Sequence, residues 1–371
     1  MRWVSLGEYI EPFKQKCGDK NALVSGVNVD KQFISTRANL EDVDVSKYYK
    51  VPARHFACNL MHIGRDERIP IAYNDSPKTL VVTSAYYVFK IKEDKRDELL
   101  DEYLYIFFKL PEQDRLAWFY TDSSIRGNLP ENRFKDIQIP LPDIDEQRKI
   151  VSVWKGLRDL KVQNEVIAEP LFELCQSYLK QLKEEYEPTE IGPYIESYDQ
   201  VNTKGYNHPV VGINKNKEFM PTVANIENID IKKYKVISKN VFVFSGMQTG
   251  RDVCIRIGLY NGDNSALMSP AYTTFKVKDD KKLIPEFLFL CFNNNEMDRY
   301  GWFISDSSVR SNLDWNRFLE IKIPIPSPEK QRAIVNIYNC AKEAKDIANK
   351  TDQLIKDICP ALMRQVIGEA S

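Results

Sequence analysis

The 371-residue sequence contains few residues that could hold a metal ion or perform catalysis. Its three histidines and seven scattered cysteines include no CxxC pair, whereas a structural zinc site needs four converging nitrogen or sulfur ligands. The patterns GxxxxGKS/T, GxGxxG and GxSxG, which mark phosphate loops, dinucleotide sites and nucleophilic serines, are all missing. Asp143 and Glu146 could share a metal ion, but their spacing more simply marks the start of a helix. We therefore expect a chain with no catalytic residues, no metal and no cofactor of its own.

Long hydrophobic runs and a strong charge imbalance are also missing. No stretch approaches the roughly 18 apolar residues of a membrane-spanning helix, and the first residues lack the apolar core of a signal peptide. Lysine and arginine (52) balance aspartate and glutamate (53), which excludes a histone-like protein but not a nucleic-acid binder with basic side chains on one face. The odd, dispersed cysteines fit reduced thiols. We expect a cytoplasmic protein of two or three domains.

The most informative feature of the sequence is an internal repeat. Residues 117–150 and 301–334 match at 18 of 34 positions without a gap, at an offset of 184 residues. Shorter matches at offsets of 184–186 extend the similarity towards the start of each copy, as in Gly64-Arg65-Asp66 and Gly250-Arg251-Asp252. Self-similarity at a fixed period indicates repeated structural units, here two copies of about 185 residues.

Each copy has the same internal plan. Its first part, of about 140 residues, consists of short β-type runs separated by turn residues and interrupted by a helical segment. A Pro-x-Pro sequence then ends the last strand, at 140–142 and at 324–326. Beyond it the apolar period changes from 2 to about 3.5. We predict an α+β fold with two similar mixed α/β globules, at 1–143 and 187–327, and two long spacer helices, at 144–186 and 328–371.

Both long segments carry a start signal and an apolar seam of heptad spacing. Asp143 followed by Glu146 has the spacing of a capping box, and Ser327 followed by Pro328 fits an N-cap with a first-turn proline. The predicted seam residues are Ile150, Val153, Leu157, Leu160, Asn164, Ile167, Leu171, Leu174 and Tyr178 in the first helix, and Ile334, Ile337, Ala341, Ala344, Ala348, Thr351, Ile355, Ile358 and Leu362 in the second.

Leucines dominate the middle of the first seam and alanines the middle of the second. Because large and small side chains complement each other, we predict that the helices pack together as an antiparallel coiled coil, which would relate the globules by a pseudo-twofold axis. The alternative is that each helix lies on its own globule. Pro170 lies inside the first helix and should kink or divide it.

Two globules related by a twofold axis would match the twofold symmetry of duplex DNA. The sequences IPLP…EQRKIV and IPIP…KQRAIV, each at the junction of a globule and a helix, resemble the specificity subunits of type I restriction–modification systems, and the resemblance covers the whole chain. It implies a non-catalytic subunit whose two target-recognition domains each read one half of a bipartite site on double-stranded DNA. It also implies that the helices set the half-site spacing and dock two modification (methyltransferase) subunits.

The resemblance further implies that restriction (endonuclease/translocase) subunits join the complex for cleavage. S-adenosylmethionine, ATP and Mg²⁺ would then bind the partner subunits. Three alternatives stay open at this point. The chain could serve a related type IIB restriction–modification system, it could be a two-headed scaffold for other proteins, or it could be a nuclease or methyltransferase whose active site follows no familiar motif.

The candidate DNA contacts are polar residues that recur in both globules. Serine and asparagine can donate to phosphates or base edges, and arginine can bind guanine or phosphate through two hydrogen bonds. The candidates are Ser123, Ser124, Arg126 and Asn128 with their counterparts Ser307, Ser308, Arg310 and Asn312, then Arg65, Arg251 and Gln248, and finally Lys31, Lys217, Arg133 and Arg317. The alternative for each is an internal turn, an ion pair or a solvated side chain. Because shared residues cannot distinguish two half-sites, half-site identity should depend on residues that differ between the copies.

Overall fold

A computed structural model of the protein describes residues 2–36, 38–41, 43–61, 63–122, 124, 127–222, 229–247, 249–306 and 311–368. The chain divides into two units. The first comprises Met1–Gln163 and Ile347–Ser371, and the second comprises Asn164–Asp346. Both boundaries fall inside long helices, so each unit consists of one sheet-rich globule and a part of each long helix.

The first globule is built from short strands and short helices. Its strands are β1 (Arg2–Ser5), β2 (Ile10–Pro12), β3 (Ser25–Val27), β4 (Phe33–Ser35), β5 (Tyr49–Val51), β6 (Phe56–Cys58), β7 (Ile71–Tyr73), β8 (Leu80–Val82), β9 (Tyr87–Ile91) and β10 (Gln138–Leu141). Its helices are α1 (Leu6–Tyr9), α2 (Ile63–Asp66), α3 (Asp101–Phe108), α4 (Pro111–Phe119) and α5 (Glu131–Lys135), with 3-10 turns at Val45–Lys47 and Glu93–Lys95. Strands β2, β9, β6 and β7 form an antiparallel sheet in that order, and β3–β4, β5–β8 and β1–β10 are antiparallel pairs.

The second globule follows the same plan. After the first long helix, α6 (Ile144–Glu185), come β11 (Thr189–Glu190), β12 (Ile195–Ser197), β13 (Val210–Ile213), β14 (Phe219–Pro221), β15 (Lys235–Ile237), β16 (Val241–Ser245), β17 (Arg256–Tyr260), β18 (Ala266–Met268), β19 (Thr273–Val277) and β20 (Lys322–Ile323). Its helices are α7 (Thr249–Asp252), α8 (Pro285–Phe292), α9 (Asn295–Phe303) and α10 (Trp315–Leu319), with 3-10 turns at Gly192–Tyr194 and Ile231–Lys233. One sheet has the order β12-β19-β16-β17, a second has the order β14-β13-β18-β15, and β11 pairs with β20.

Phenylalanine pairs at equivalent positions lie at the centre of both cores. Phe56 on β6 faces Phe89 on β9, with nearly parallel rings whose centroids are 4.9 Å apart. Phe242 on β16 faces Phe275 on β19 in the same way, at 4.8 Å. All four side chains are fully buried, and each such burial stabilises the fold by about 1.5–3 kcal/mol. The strand order of the sheet that carries these pairs, β2-β9-β6-β7 and β12-β19-β16-β17, therefore repeats with the sequence, and the predicted α+β class with two similar mixed α/β globules is confirmed.

A long helix follows each globule: α6 after the first and α11 (Pro328–Gly368) after the second. At the start of α6, the Asp143 carboxylate accepts a hydrogen bond from the backbone N–H of Glu146 at 2.9 Å, which confirms the predicted cap. Helix α6 continues through Pro170, so this proline does not divide it. Within the described residues, no helix combines the length and the apolar character that crossing a membrane requires.

In the second unit, α6 and α11 pack against each other in antiparallel orientation. The rings of Phe172 and Tyr338 lie 5.6 Å apart, and Glu185 forms an ion pair of 2.9 Å with Lys330. Residues later in α6 therefore contact residues earlier in α11, which is the antiparallel arrangement. In the first unit, Cys359, a buried residue of α11, belongs to the same apolar cluster as the core of the first globule.

The buried face of α6 differs from the predicted seam. Val153, Leu160, Ile167, Leu174 and Tyr178, all predicted for the seam, are 41–51% exposed. The side chains buried in their place are Val151, Trp154, Ala168, Cys175, Leu179 and Leu182. Helix α6 carries two neighbouring apolar stripes, and the stripe with the smaller middle side chains is the buried one. The alanines predicted for the α11 seam are buried, and small side chains on both helices allow close approach of the two backbones.

A buried glutamine joins each globule to its long helix. The Oε1 atom of Gln147 accepts a hydrogen bond from the N–H of Leu100, at 3.0 Å, and its Nε2 donates to the carbonyls of Glu98 and Pro142, at 2.7 and 3.1 Å. Gln331 makes three equivalent bonds of 2.8–2.9 Å in the second unit. Because a fully buried amide needs all of these partners, the glutamine of the junction sequences orients the helix against the globule.

Candidate nucleic-acid interface

Two of the recurring segments meet at one place in each globule. In the first globule, the N–H of Gly64 on α2 donates to the carbonyl of Gly127, in the loop after α4, at 3.4 Å. In the second, the N–H of Gly250 on α7 donates to the carbonyl of Ser311 at 3.1 Å. We call this arrangement the turn site: the described residues of 63–66 and 122–128 in the first globule, and of 249–252 and 306–312 in the second. Segments that the sequence suggested separately thus form one surface.

Glycine is required where these segments touch. Gly127 has φ of +59°, and a Cβ on it would lie 2.5 Å from the backbone of Gly64. A Cβ on Gly250 would lie 2.3 Å from the Cβ of Ser311 and 2.9 Å from Nε1 of Trp302. Such distances are shorter than any side chain can tolerate, so only glycine lets the two backbones approach. The turn site is therefore closely packed in both globules.

An aspartate organises each loop from inside. The Asp122 carboxylate accepts hydrogen bonds from the backbone N–H groups of Ser124 and Asn128, at 3.1 and 3.0 Å. The side-chain hydrogen bond from the Ser124 hydroxyl is the main reason that the pKa of Asp122 lies below its ordinary value. Asp306 accepts an equivalent bond from the N–H of Asn312 at 2.9 Å. The described polar residues of this stretch therefore hold the shape of the loop.

Several of the predicted DNA contacts lie outside the described residues. They are Ser123, Arg126, Gln248, Ser307, Ser308 and Arg310, together with the side chain of Arg65. Their assignment to DNA stays a prediction. Ser124 and Asn128 are described, and their side chains are hydrogen-bonded to each other and to Asp122, which corresponds to the internal-turn alternative for these two residues.

Three cationic side chains surround one carboxylate in the second globule. Asp252, whose side chain is 2% exposed, pairs with Arg251 at 3.1 Å, with Lys215 at 3.3 Å and with Arg256. Burial raises the pKa of the Asp252 carboxyl, but these cations outweigh it and hold the pKa below its usual value. The cluster therefore places two net positive charges at the turn site, while the described residues contain no group of three metal-ligating side chains.

Lys31 and Lys217 occupy the interior of the globules. They are 4% and 5% exposed, at the tips of equivalent hairpins, and pair with Asp114 and Asp298 respectively. Burial lowers the pKa of the Lys31 ammonium group, and Asp114 opposes this shift. The suggestion that these two lysines reach phosphate is therefore corrected: each ammonium group is already bound to a carboxylate inside its own globule.

Arg133 and Arg317 hold the ends of two helices. Arg133 donates to the carbonyl of Tyr120, which follows α4, at 3.2 Å. Arg317 donates to the carbonyl of Ile304, which follows α9, at 2.8 Å. The last carbonyls of a helix lack partners inside it, and a cation there stabilises its end. Both guanidinium groups are also exposed, so their predicted contact with DNA stays a prediction.

Comparison with known proteins identifies the family. The protein-family model described as "Type I restriction modification DNA specificity domain" matches residues 68–170 and 170–356 of the sequence. The chain belongs to this family. The S subunit of a type I restriction–modification system from M. genitalium is similar in structure, with a TM-score of 0.63 and 12% identity over 98% of this chain and 96% of that one. The HsdS subunit from Thermoanaerobacter tengcongensis is 15% identical over 98% and 96% of the two chains, with a TM-score of 0.37. No curated protein sequence is significantly similar.

Sequence reasoning missed several residues of this specificity-domain protein. Lys215 and Arg256 lie beside Asp252, but Val29 and Pro70 occupy the corresponding positions of the first copy, so a search for shared residues passes over them. A second omission is the sequence Trp-Phe at the ends of α4 and α9. This pair lies within the longest ungapped match of the repeat. Because apolar residues at helical spacing are usually assigned to a core, the sequence alone did not indicate that the pair is exposed.

Proposed function

We propose that this protein is the non-catalytic DNA-binding subunit of a type I restriction–modification complex, and that each globule binds one half of a bipartite site on double-stranded DNA. The observation that carries the proposal is the turn site, which recurs in both globules and has an excess of two positive charges around Asp252 in the second. Backbone N–H groups, polar loops and exposed cations are the groups that hold phosphates and base edges. S-adenosylmethionine, ATP and Mg²⁺ would bind the partner subunits, which we propose to be two methyltransferase subunits and restriction subunits.

Binding of the full-length chain to duplex DNA should weaken steeply with salt, and Arg251→Ala should reduce that dependence. Removing one phosphate contact lowers the slope of log K against log salt by about 0.9 and weakens binding roughly tenfold. The variant should fold, because Asp252 keeps Arg256 and Lys215 as partners. Fluorescence anisotropy of a labelled duplex measures both the affinity and its salt slope. The titrations should cover about 50 to 200 mM salt, where the salt dependence of DNA binding is large.

Lys233→Ala is the matched control, because Lys233 is an exposed cation of the same globule that lies outside the turn site. It should leave the salt slope at the wild-type value. A wild-type chain whose affinity for duplex DNA does not depend on salt would contradict the proposed function. An Arg251→Ala slope equal to that of the wild type would remove only this residue from the contact surface.

We also propose that α6 docks the methyltransferase subunits. Helix α6 exposes Val153 and Leu160 in the first unit, and Ile167 and Leu174 in the second. Within each unit the two residues are one heptad apart, which is the spacing that an amphipathic partner helix recognises. Exposed apolar side chains in such a row support an interaction surface, because soluble proteins seldom leave them uncovered.

Leu160→Asp combined with Ile167→Asp should abolish co-purification of the methyltransferase subunits with the chain. A carboxylate in an apolar helix interface has no partner and is costly to desolvate. Both side chains are half exposed, so the free chain should keep its fold and its DNA affinity. Leu23→Asp, at a residue that is 92% exposed in the first globule, is the control and should co-purify normally. Retention of the methyltransferase by the double variant would exclude α6 as its docking surface.

A further inference from the structure

Each globule exposes a tryptophan–phenylalanine pair at the end of a helix. Trp118 and Phe119 end α4 and are 46% and 78% exposed. Trp302 and Phe303 end α9 and are 50% and 84% exposed. The two pairs occupy equivalent positions of the repeat, at an offset of 184 residues. Large aromatic side chains are normally buried, so their exposure at the same place in both copies indicates a surface that binds something.

The pair in the second globule adjoins the turn site. A Cβ on Gly250 would lie 2.9 Å from Nε1 of Trp302, which places the indole against α7. Arg251, the next residue of α7, is one of the three cations around Asp252. The following carbonyl, that of Ile304, is held by Arg317 at 2.8 Å. The aromatic pair is therefore fixed on a capped helix, beside excess positive charge.

The charge around this surface indicates duplex DNA as its ligand. Lys215 and Arg251, both paired with Asp252, have mostly exposed side chains, and Arg299 is exposed on α9 itself. Protein interfaces usually exclude lysine from their apolar centre, whereas DNA-binding surfaces place cations for the phosphates next to apolar groups for the bases. An exposed phenylalanine flanked by cations has the chemistry of a wedge that enters between base pairs.

We propose that Phe119 and Phe303 insert between base pairs of their half-sites, with Trp118 and Trp302 beside them, and thereby unstack one base step in each. This inference rests on the proposed DNA-binding function and adds a means of recognition to it. Pyrimidine–purine steps are the easiest to unstack, so each half-site should contain such a step at the point of insertion. Recognition would then depend partly on how easily the DNA deforms, in addition to contacts with base edges.

The test uses the full-length chain and a duplex selected by that chain from a random library, with 2-aminopurine placed at successive positions. Binding of the wild type should raise the fluorescence of 2-aminopurine at one step in each half-site, because unstacking removes quenching by neighbouring bases. Phe303→Ala should lose the signal at one half-site and keep it at the other, and Phe119→Ala should do the reverse. Each variant should bind about tenfold more weakly with an unchanged salt slope, since no phosphate contact is lost.

Two further variants test whether the effect of Phe303→Ala is specific to an apolar side chain at this position. Phe303→Leu keeps an apolar wedge and should retain much of the signal. Tyr206→Ala removes an exposed aromatic side chain elsewhere in the second globule and should change neither fluorescence nor affinity. Because Phe303 is almost fully exposed, its replacement should leave the urea midpoint unchanged.

Several results would overturn the wedge. The first is that Phe303→Ala binds DNA with the affinity and the 2-aminopurine fluorescence of the wild type. The second is that Phe303→Ala binds more weakly although the wild type itself gives no 2-aminopurine signal, which would indicate a groove contact without insertion. Loss of methyltransferase co-purification with intact DNA binding would assign the pair to a protein partner instead. If the wild-type chain binds no DNA, the proposed function fails together with the wedge, whereas in the other cases it stands.

Discussion

Asp298→Asn is expected to lower the free energy of unfolding of the second unit by about 3–5 kcal/mol, because it leaves the buried ammonium group of Lys217 without its counter-charge. The Nζ atom of Lys217 lies 2.8 and 3.0 Å from the two carboxylate oxygens of Asp298. Asparagine can still accept the hydrogen bond from the N–H of Ile255, but its amide nitrogen cannot accept from Lys217, so the loss combines the missing charge with one hydrogen bond to the ammonium group. With a urea m-value of about 2–3 kcal/mol/M, the midpoint should fall by about 1–2.5 M.

A second substitution and an exposed pair provide the controls. Adding Lys217→Met to Asp298→Asn removes the unpaired charge and should restore part of the lost stability. Asp230→Asn breaks an exposed pair with Lys233 and should change the stability by less than about 0.5 kcal/mol. Equal effects of Asp298→Asn and Asp230→Asn would show that burial of the pair contributes nothing. Asp114→Asn should repeat the result in the first unit, where Asp114 pairs with Lys31.

Insertion of one heptad into each long helix is expected to lengthen the spacer of the recognised DNA site by about three base pairs. We propose that the helices set the half-site spacing, and seven residues add ~10.5 Å of helix against a rise of ~3.4 Å per base pair. Insertion after Gln163 in α6 and after Asp346 in α11 leaves each unit intact and keeps the apolar stripes in register. Methylation of a plasmid library with randomised spacer lengths, by the chain with its methyltransferase subunits, measures the change.

Rotation should reduce the activity of this variant. Three base pairs turn one half-site relative to the other by about 100°, since a turn of the duplex contains about 10.5 base pairs. The control is an insertion of four residues, which shifts the apolar stripe out of register and should destabilise the helix pair. A heptad variant that is active on the parental spacer would show that the helices are tethers and do not measure distance.

The secondary structure followed from the sequence wherever local chemistry decides it. The cap at Asp143 was predictable because the residues that form it are three positions apart. The buried stripe of α6 was not predictable, since heptad periodicity is equally good for two neighbouring stripes of the same helix. Only the small side chains that both helices bury, such as Ala168 of α6 and Ala341 of α11, favour one of them.

For the candidate site too, local features were predictable from the sequence and long-range contacts were not. Recurrence in the sequence located both segments of the turn site, but their meeting depends on a contact between Gly64 and Gly127, far apart in the chain. Lys217 was misassigned because a lysine in a turn between two strands is normally solvated. Its partner Asp298 lies 81 residues away, and nothing local indicates the pair. Long-range pairing, not local propensity, limits what the sequence reveals here.

The division of the chain has a consequence for its synthesis on the ribosome. The second unit is contiguous, whereas the first contains both Met1–Gln163 and Ile347–Ser371. Cys359, Met363 and Val366 are part of the first apolar core. At 5–20 residues per second, these side chains emerge about 10–40 s after Gln163. The globule made first must therefore wait with an open core while the later one completes its own, so the two copies of one fold mature in the reverse of their order in the gene.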